Sequence, residues 1–369
     1  MTRFTARARW TLVPLVLLAL FATACGSSSS KSDSKTTTAK KAAATTTAAK
    51  VTGALTGSGS TFVAPFVEQA ATAFTGENPG LTINYNPTGS GAGQVDLQGK
   101  LVDFAGTDSL VPPTDTAKYT GGKFLYFPTV AAPITISYNL AGVTDLQLSG
   151  ETLGGIFSRK ITTWSDPAIK ADNPSATLPA TPIVVVHRSD ASGTTANFTK
   201  YLTKAAPTSW ILGTGTTVAW DPSTTGQAKN GGVAAAIKST AGAVGYVDFA
   251  DAKQAALTFA GIKNSSGKFV APSVAGASAA IAGATVAADL TYDPLNAPGA
   301  AAYPITSPTY ILVYATQTDR TKGLALKAFL NFILTTGQEA APQINYAPLA
   351  KSLATKAIAQ LDQIVIPSS

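Results

Sequence analysis

The sequence predicts an α/β fold in two parts, and three observations carry that expectation. From Thr52 onward, short apolar strand-like runs alternate with helical periodicities, the pattern of strands covered by helices. The chain has 369 residues, room for two domains of ordinary size. Two proline-bearing extended segments, FPTVAAPITISYN (127–139) and YPITSPTYILVY (303–314), have the character of paired crossings between domains. They divide the chain into one domain over residues 51–132 plus 306–369 and a second over 133–305, with the crossings as a two-segment hinge. Two ordinary edge strands would give the same local pattern.

Residues 1–24 stand outside that fold. Arg3, Arg7 and Arg9 precede TLVPLVLLALF and then ATAC, the order of a secretory signal peptide. The apolar run is short and wrongly flanked for a membrane span. Cys25 is the only cysteine, so an intrachain disulfide or thiolate zinc site is excluded. It reads as the lipidated first residue of the mature chain, carrying palmitate, although Ala22 stands where a bacterial lipobox usually has leucine. Residues 26–50 hold no aromatic or large aliphatic side chain and cannot bury enough apolar area to order themselves. With Cys25 they form a Ser/Thr/Ala/Lys tether, spanning roughly 25–30 Å as a coil. The expected location is the extracytoplasmic face of the cell membrane, on a lipid anchor.

Charge follows the same division. The chain has 27 basic and 20 acidic residues; three arginines lie in the leader, and five lysines and one aspartate in 26–50. That leaves 19 of each sign in the globular part. A nucleic-acid binder would carry a basic domain, and nothing in this composition supports one.

The elements run in order. Val63, Phe66, Val67, Ala70, Ala71 and Phe74 share one face of a helix. LTINY (81–85) alternates as a strand, GQVDLQGKL reads as a short helix after a glycine loop, and LVDFAGTD as a strand ending in polar residues. TPIVVVH is a buried strand, continuous in its apolar residues. GVAAAIKS and GAVGYVDF read as helix and strand, and the chain ends in helices.

Three Gly/Ser/Thr-rich loops each open a helix: TGSGSTFVAPF (56–66), PTGSGAGQVDL (87–97) and RSDASGTTANF (188–198). First-turn N–H groups have no intrahelical partner and sit at the positive end of the helix dipole. One such loop is ordinary capping; three, one with an arginine, point to an anion site. Arg188 is one of three arginines beyond the leader, with Arg159 and Arg320. Set directly after an apolar strand it needs an anionic partner, either Asp190 two residues on, a ligand, or both. Asp108 bears on specificity. Phosphate near neutral pH keeps a proton that a carboxylate can accept, whereas the same carboxylate repels fully ionised sulfate. A turn-capping aspartate would look the same in sequence.

Enzyme readings find little support. The single histidine, His187, ends a buried strand, where a structural role is commoner than a catalytic one. DASGT lacks the G-x-S-x-G pattern, no P-loop occurs, and carboxylates are scattered rather than clustered for a metal. Binding without chemistry is expected, with no cofactor and no metal.

The motifs GSGSTFVAPF, GSGAG, VDFAGTD, FPTV, KITTWSDPAI, HRSDASGTTANF, GAVGYVDFA and YPITSPTYIL run from about residue 53 to 350. In that order they resemble the phosphate-binding component of the bacterial high-affinity phosphate ABC transporter. The resemblance implies a periplasmic-binding-protein-like fold with mixed sheets, inorganic phosphate as ligand, ABC permease subunits with their ATPase as partners, and a monomer that docks at the membrane. It places phosphate contacts on Ser60, Thr61 and Phe62 (by its N–H), Ser90, Asp108, Arg188, Ser192, Gly193 and Thr194, with Asp190 holding Arg188. FAGTD stands where the family more often has FGASD, and GSGAG for a GSSGG-like loop; both departures leave Asp108 and Ser90 in place. A binding protein for another oxyanion, sulfate or molybdate, is the first alternative, and a phosphate-ester hydrolase the second.

Overall fold

The computed structural model describes residues 50–368, so the leader, Cys25 and the tether up to residue 49 lie outside the described residues. Strand β1 (Gly53–Gly59) leads into α1 (Ala64–Glu77), β2 (Leu81–Asn86), α2 (Ser90–Gln98) and β3 (Phe104–Thr107). The apolar stripe read from spacing is the buried face of α1: Phe66, Val67, Ala70, Ala71 and Phe74 are all covered. Helix α2 starts at Ser90, earlier than the segment GQVDLQGKL suggests, because Gly89 at φ 103° turns the chain straight into the first helical turn.

The long strand β4 (Phe124–Tyr138) precedes β5 (Gln147–Leu148), α3 (Gly150–Phe157), α4 (Pro167–Asp172), β6 (Val184–Arg188), α5 (Gly193–Ala205) and β7 (Thr225–Gln227). Then come α6 (Lys229–Ser239), β8 (Ala243–Asp248), α7 (Phe249–Gln254), β9 (Thr258–Phe259), β10 (Gly261–Lys263), β11 (Phe269–Val270) and α8 (Val274–Ala282). The chain returns through β12 (Thr306–Tyr314) and closes with α9 (Arg320–Leu334), α10 (Thr336–Ala340), β13 (Ala347–Pro348) and α11 (Lys351–Gln360).

The main sheet is mixed, in the order β2-β1-β3-β12-β4-β8-β6-β7, with β9 and β13 also against β4; β11-β10-β5 form a small second sheet. Strands β1, β2 and β3 are parallel, as are β6, β7 and β8. Between these two sets lie β12 and β4, antiparallel to each other. The two extended segments are therefore adjacent interior strands, not edge strands. All of β12 and all but the first residue of β4 are buried, which is why both read as unbroken runs rather than alternations. Strand β4 changes partner midway. Its residues through Pro133 pair with β12, and Ile134–Tyr138 pair with β8. The loops after β1, β2, β3 and β6 all leave from carboxyl ends of parallel strands, where open α/β sheets collect their ligand groups.

Candidate anion site

One wall is built from the ends of β1 and β3 and the start of α2. The Ser60 N–H donates to Gly106 O (2.8 Å), which pins the first loop to β3. The Ser60 hydroxyl lies 2.6 and 2.7 Å from the two Asp108 oxygens and accepts from the Phe62 N–H at 3.0 Å. Ser90 Oγ is 3.3 Å from Asp108 Oδ2 and accepts from the Asp108 N–H at 3.2 Å. Ser60, Ser90 and Asp108 are all buried. Burial raises the Asp108 carboxyl to about 7, against the pull of the Ser60 hydroxyl, the Arg188 charge and the Ser90 hydroxyl.

The facing wall comes from the end of β6 and the start of α5. Arg188 donates Nε to Asp190 Oδ1 (2.7 Å) and Nη2 to Asp190 Oδ2 (2.5 Å), a bidentate pair whose guanidinium side chain is 1% exposed. Burial alone would raise the Asp190 carboxyl; the hydrogen bonds and charge of Arg188 outweigh it and hold it low. The Arg188 N–H donates to Tyr246 OH (3.0 Å), itself 2.7 Å from Thr195 Oγ1.

The walls interlock. A Cβ on Gly193 would fall 2.5 Å from Ser90 Oγ and 2.8 Å from Asp108 Oδ2, so only glycine lets the start of α5 come this close. The Gly91 N–H donates to Ala191 O at 3.1 Å. All ten sequence-predicted site residues, Ser60, Thr61, Phe62, Ser90, Asp108, Arg188, Asp190, Ser192, Gly193 and Thr194, lie in the strand ends, loops and first helical turns that meet here. Simple capping accounts for one of the three helix-opening loops. Ser192 caps α5 by accepting from the Thr195 N–H (3.2 Å), whereas neither α1 nor α2 has a side-chain cap. Three helix starts, one guanidinium and one carboxyl whose pKa burial raises gather at these strand ends, a set of donors and charge suited to an oxyanion.

His187 is held by its neighbours at the end of β6. Its Nδ1 lies 2.9 Å from the Arg188 carbonyl oxygen, its ring stacks on Trp220 at 4.7 Å between centroids, and burial lowers its pKa. Among the described residues no three His, Cys, Asp or Glu gather as metal ligands, and no helix is long and apolar enough to cross a membrane.

Three supporting residues were not found by sequence reasoning. Asn197 gives its Nδ2 to the main-chain oxygens of Asp108 (2.6 Å) and Gly193 (3.1 Å) and to Ser307 Oγ (3.0 Å). Asn230 reaches Thr61 and Thr194. Tyr346, from the far C-terminal segment, donates its hydroxyl to Phe62 O at 2.5 Å. Asn197 stands one helical turn after Gly193, a spacing that carries a signal. Asn230 sits in KNGG, a fourth glycine-bearing helix start, and Tyr346 carries none.

The fold and the cradle at its strand ends define a member of the PBP superfamily, whose domain model matches residues 43–336. Solved structures share the fold. A periplasmic phosphate-binding protein determined with bound phosphate superposes with TM-score 0.69 at 22% identity, covering 87% of this chain and 100% of that one. A phosphate-binding protein from Stenotrophomonas maltophilia gives TM-score 0.66 at 24% identity over 84% and 94%. At the sequence level, 36% of residues match phosphate-binding protein PstS 2 of Mycobacterium tuberculosis over 84% of this chain and 87% of that one. The same identity holds with PstS of Pasteurella multocida, over 83% and 89%. The chain belongs to the PstS family of phosphate-binding proteins.

Proposed function

We propose that this protein binds inorganic phosphate outside the membrane and delivers it to an ABC permease. The observation that carries the reading is the pairing of two unlike walls: a buried carboxyl held by Ser60 and Ser90 faces a buried guanidinium held by Asp190. Arg188 supplies attraction. The N–H groups of Thr61, Gly193 and Thr194 and the hydroxyls of Thr61, Ser90, Ser192 and Thr194 replace the hydration shell, joined by the Phe62 N–H and the Ser60 hydroxyl as these exchange their present bonds to Ser60 Oγ and Asp108 for the anion. Asp108 and the anion share one proton between two acids. Brought by the anion to the ionised carboxylate, it makes the contact a hydrogen bond; a fully ionised oxyanion brings no proton and meets that carboxylate as a repulsion. The reading is binding followed by release, without turnover.

The working domains are residues 51–132 plus 306–369 and 133–305, hinged where β4 exchanges β12 for β8. Closure over the anion shifts the population toward the form a permease recognises. The chain acts as a monomer tethered by lipidated Cys25. The deciding experiment is calorimetric titration of the anion-free protein with phosphate and then sulfate at neutral pH. One-to-one phosphate binding with no sulfate heat is expected; equal binding of both would overturn the selectivity argument and favour a general oxyanion binder.

A further inference from the structure

Two buried amides flank the site, and they hold different things. Asn197 ties main chain to main chain through the oxygens of Asp108 and Gly193. Asn230 instead turns its Nδ2 toward two side-chain hydroxyls, Thr61 Oγ1 at 3.2 Å and Thr194 Oγ1 at 3.3 Å. These threonines belong to loops on opposite walls. Asn230 is fully buried, and its Oδ1 has no partner among the described residues. It does not cap its own helix: the N-cap of α6 is Ala228, with no side-chain bond. The backbone before it is wound into the left-handed region at Lys229 (φ 61°), and the Lys229 N–H donates to Asp190 Oδ1 at 3.1 Å. The start of α6 thus serves the Arg188–Asp190 pair with its backbone and the two threonines with its side chain.

A hydroxyl owns one proton and two lone pairs, and a primary amide owns two protons. When each threonine oxygen accepts one amide hydrogen, its own proton points elsewhere, and both can turn to one anion between the loops. We infer that Asn230 is a positioning residue for the bound anion. It acts through Thr61 and Thr194, orienting both hydroxyl protons inward and bridging the two walls. The inference rests on the phosphate reading above.

The test uses the full chain, anion-free, with phosphate as titrant and stopped-flow release as second readout. Asn230→Ala weakens binding about tenfold, mostly through faster release. Asn230→Asp, the same shape with an acceptor in place of the donor, costs more, on the order of a hundredfold at pH 8, since its carboxylate takes both hydroxyl protons. The separating measurement is a cycle with Thr61→Val and Thr194→Val. In the background lacking both hydroxyls, Asn230→Ala costs less than about twofold more, because coupled groups are not additive. Thermal midpoints without phosphate accompany each variant, and the isosteric Asn230→Asp serves if Asn230→Ala does not fold. Full additivity in the cycle, or wild-type affinity in Asn230→Asp, overturns the inference while leaving the phosphate reading intact. Absence of phosphate binding by the wild type overturns both.

Discussion

Asp108 and Asp190 are aspartates of the same cradle, the first buried and the second partly exposed, and their pKa values are shifted in opposite directions. Asp108 ends β3 among hydroxyls and is lifted by burial to about 7; Asp190 grips Arg188 with both oxygens and is held low. The difference is a matter of partners. A carboxylate held by a guanidinium in bidentate geometry keeps its charge against desolvation, whereas at Asp108 desolvation outweighs the lowering pull of two hydroxyls and the Arg188 charge. On the proposed phosphate reading, the two walls divide the work of anion recognition, one supplying charge and the other reading a proton.

The comparison can be broken most severely at the charge. Arg188→Ala leaves Asp190 with only the Lys229 N–H among its observed partners and removes the site's cation. Phosphate affinity measured by calorimetry falls by roughly a thousandfold, the consequence of truncating one member of a buried charge pair. Retained binding would show that the helix starts alone hold the anion.

Asp108→Asn sharpens the other wall. Phosphate weakens by about ten- to a hundredfold and sulfate binding appears. The anion-free stability also changes its pH dependence. The folded pKa of Asp108 lies above its ordinary 3.8, so its contribution is whole below that value and is lost as pH rises through about 7. Thermal midpoints from pH 4 to 8 therefore fall less in Asp108→Asn than in the wild type; parallel curves would deny the carboxyl its proton.

Asp190→Asn tests the opposite sign. The folded pKa of Asp190 is depressed, so its contribution is present above the ordinary carboxylate value and is lost as pH falls through the folded value. Acid unfolding should begin at higher pH in the wild type than expected from Asp108 alone, and that component disappears in Asp190→Asn. Phosphate affinity drops about ten- to a hundredfold as Arg188 loses its anchor, since a removed charged partner costs roughly 1.5–3 kcal/mol.

The smallest effect is expected at Tyr346→Phe. It removes one hydrogen bond to the Phe62 carbonyl oxygen while keeping the ring against Phe62 and Phe66, at centroid distances of 6.3 and 6.1 Å. A loss of about 1 kcal/mol, or fivefold in phosphate affinity, is expected; an unchanged constant would make Tyr346 a core residue only.

Much of this protein was legible along the chain because its signals are local. The stripe on α1, the continuous apolar strands, the three helix-opening loops and the order of motifs depend on neighbours a few residues apart. The position of Arg188 after PIVVV and of Asp108 after VDFAGT likewise followed from strand ends meeting polar residues. Tertiary structure alone decided what meets what. It set β12 beside β4 in the sheet interior, where the sequence pattern fitted edge strands as well. It brought the KNGG asparagine against threonines from two distant loops and Tyr346 against the first loop. It also set the opposite protonation of two aspartates, because desolvation and charge act through space and are fixed only when remote segments pack together.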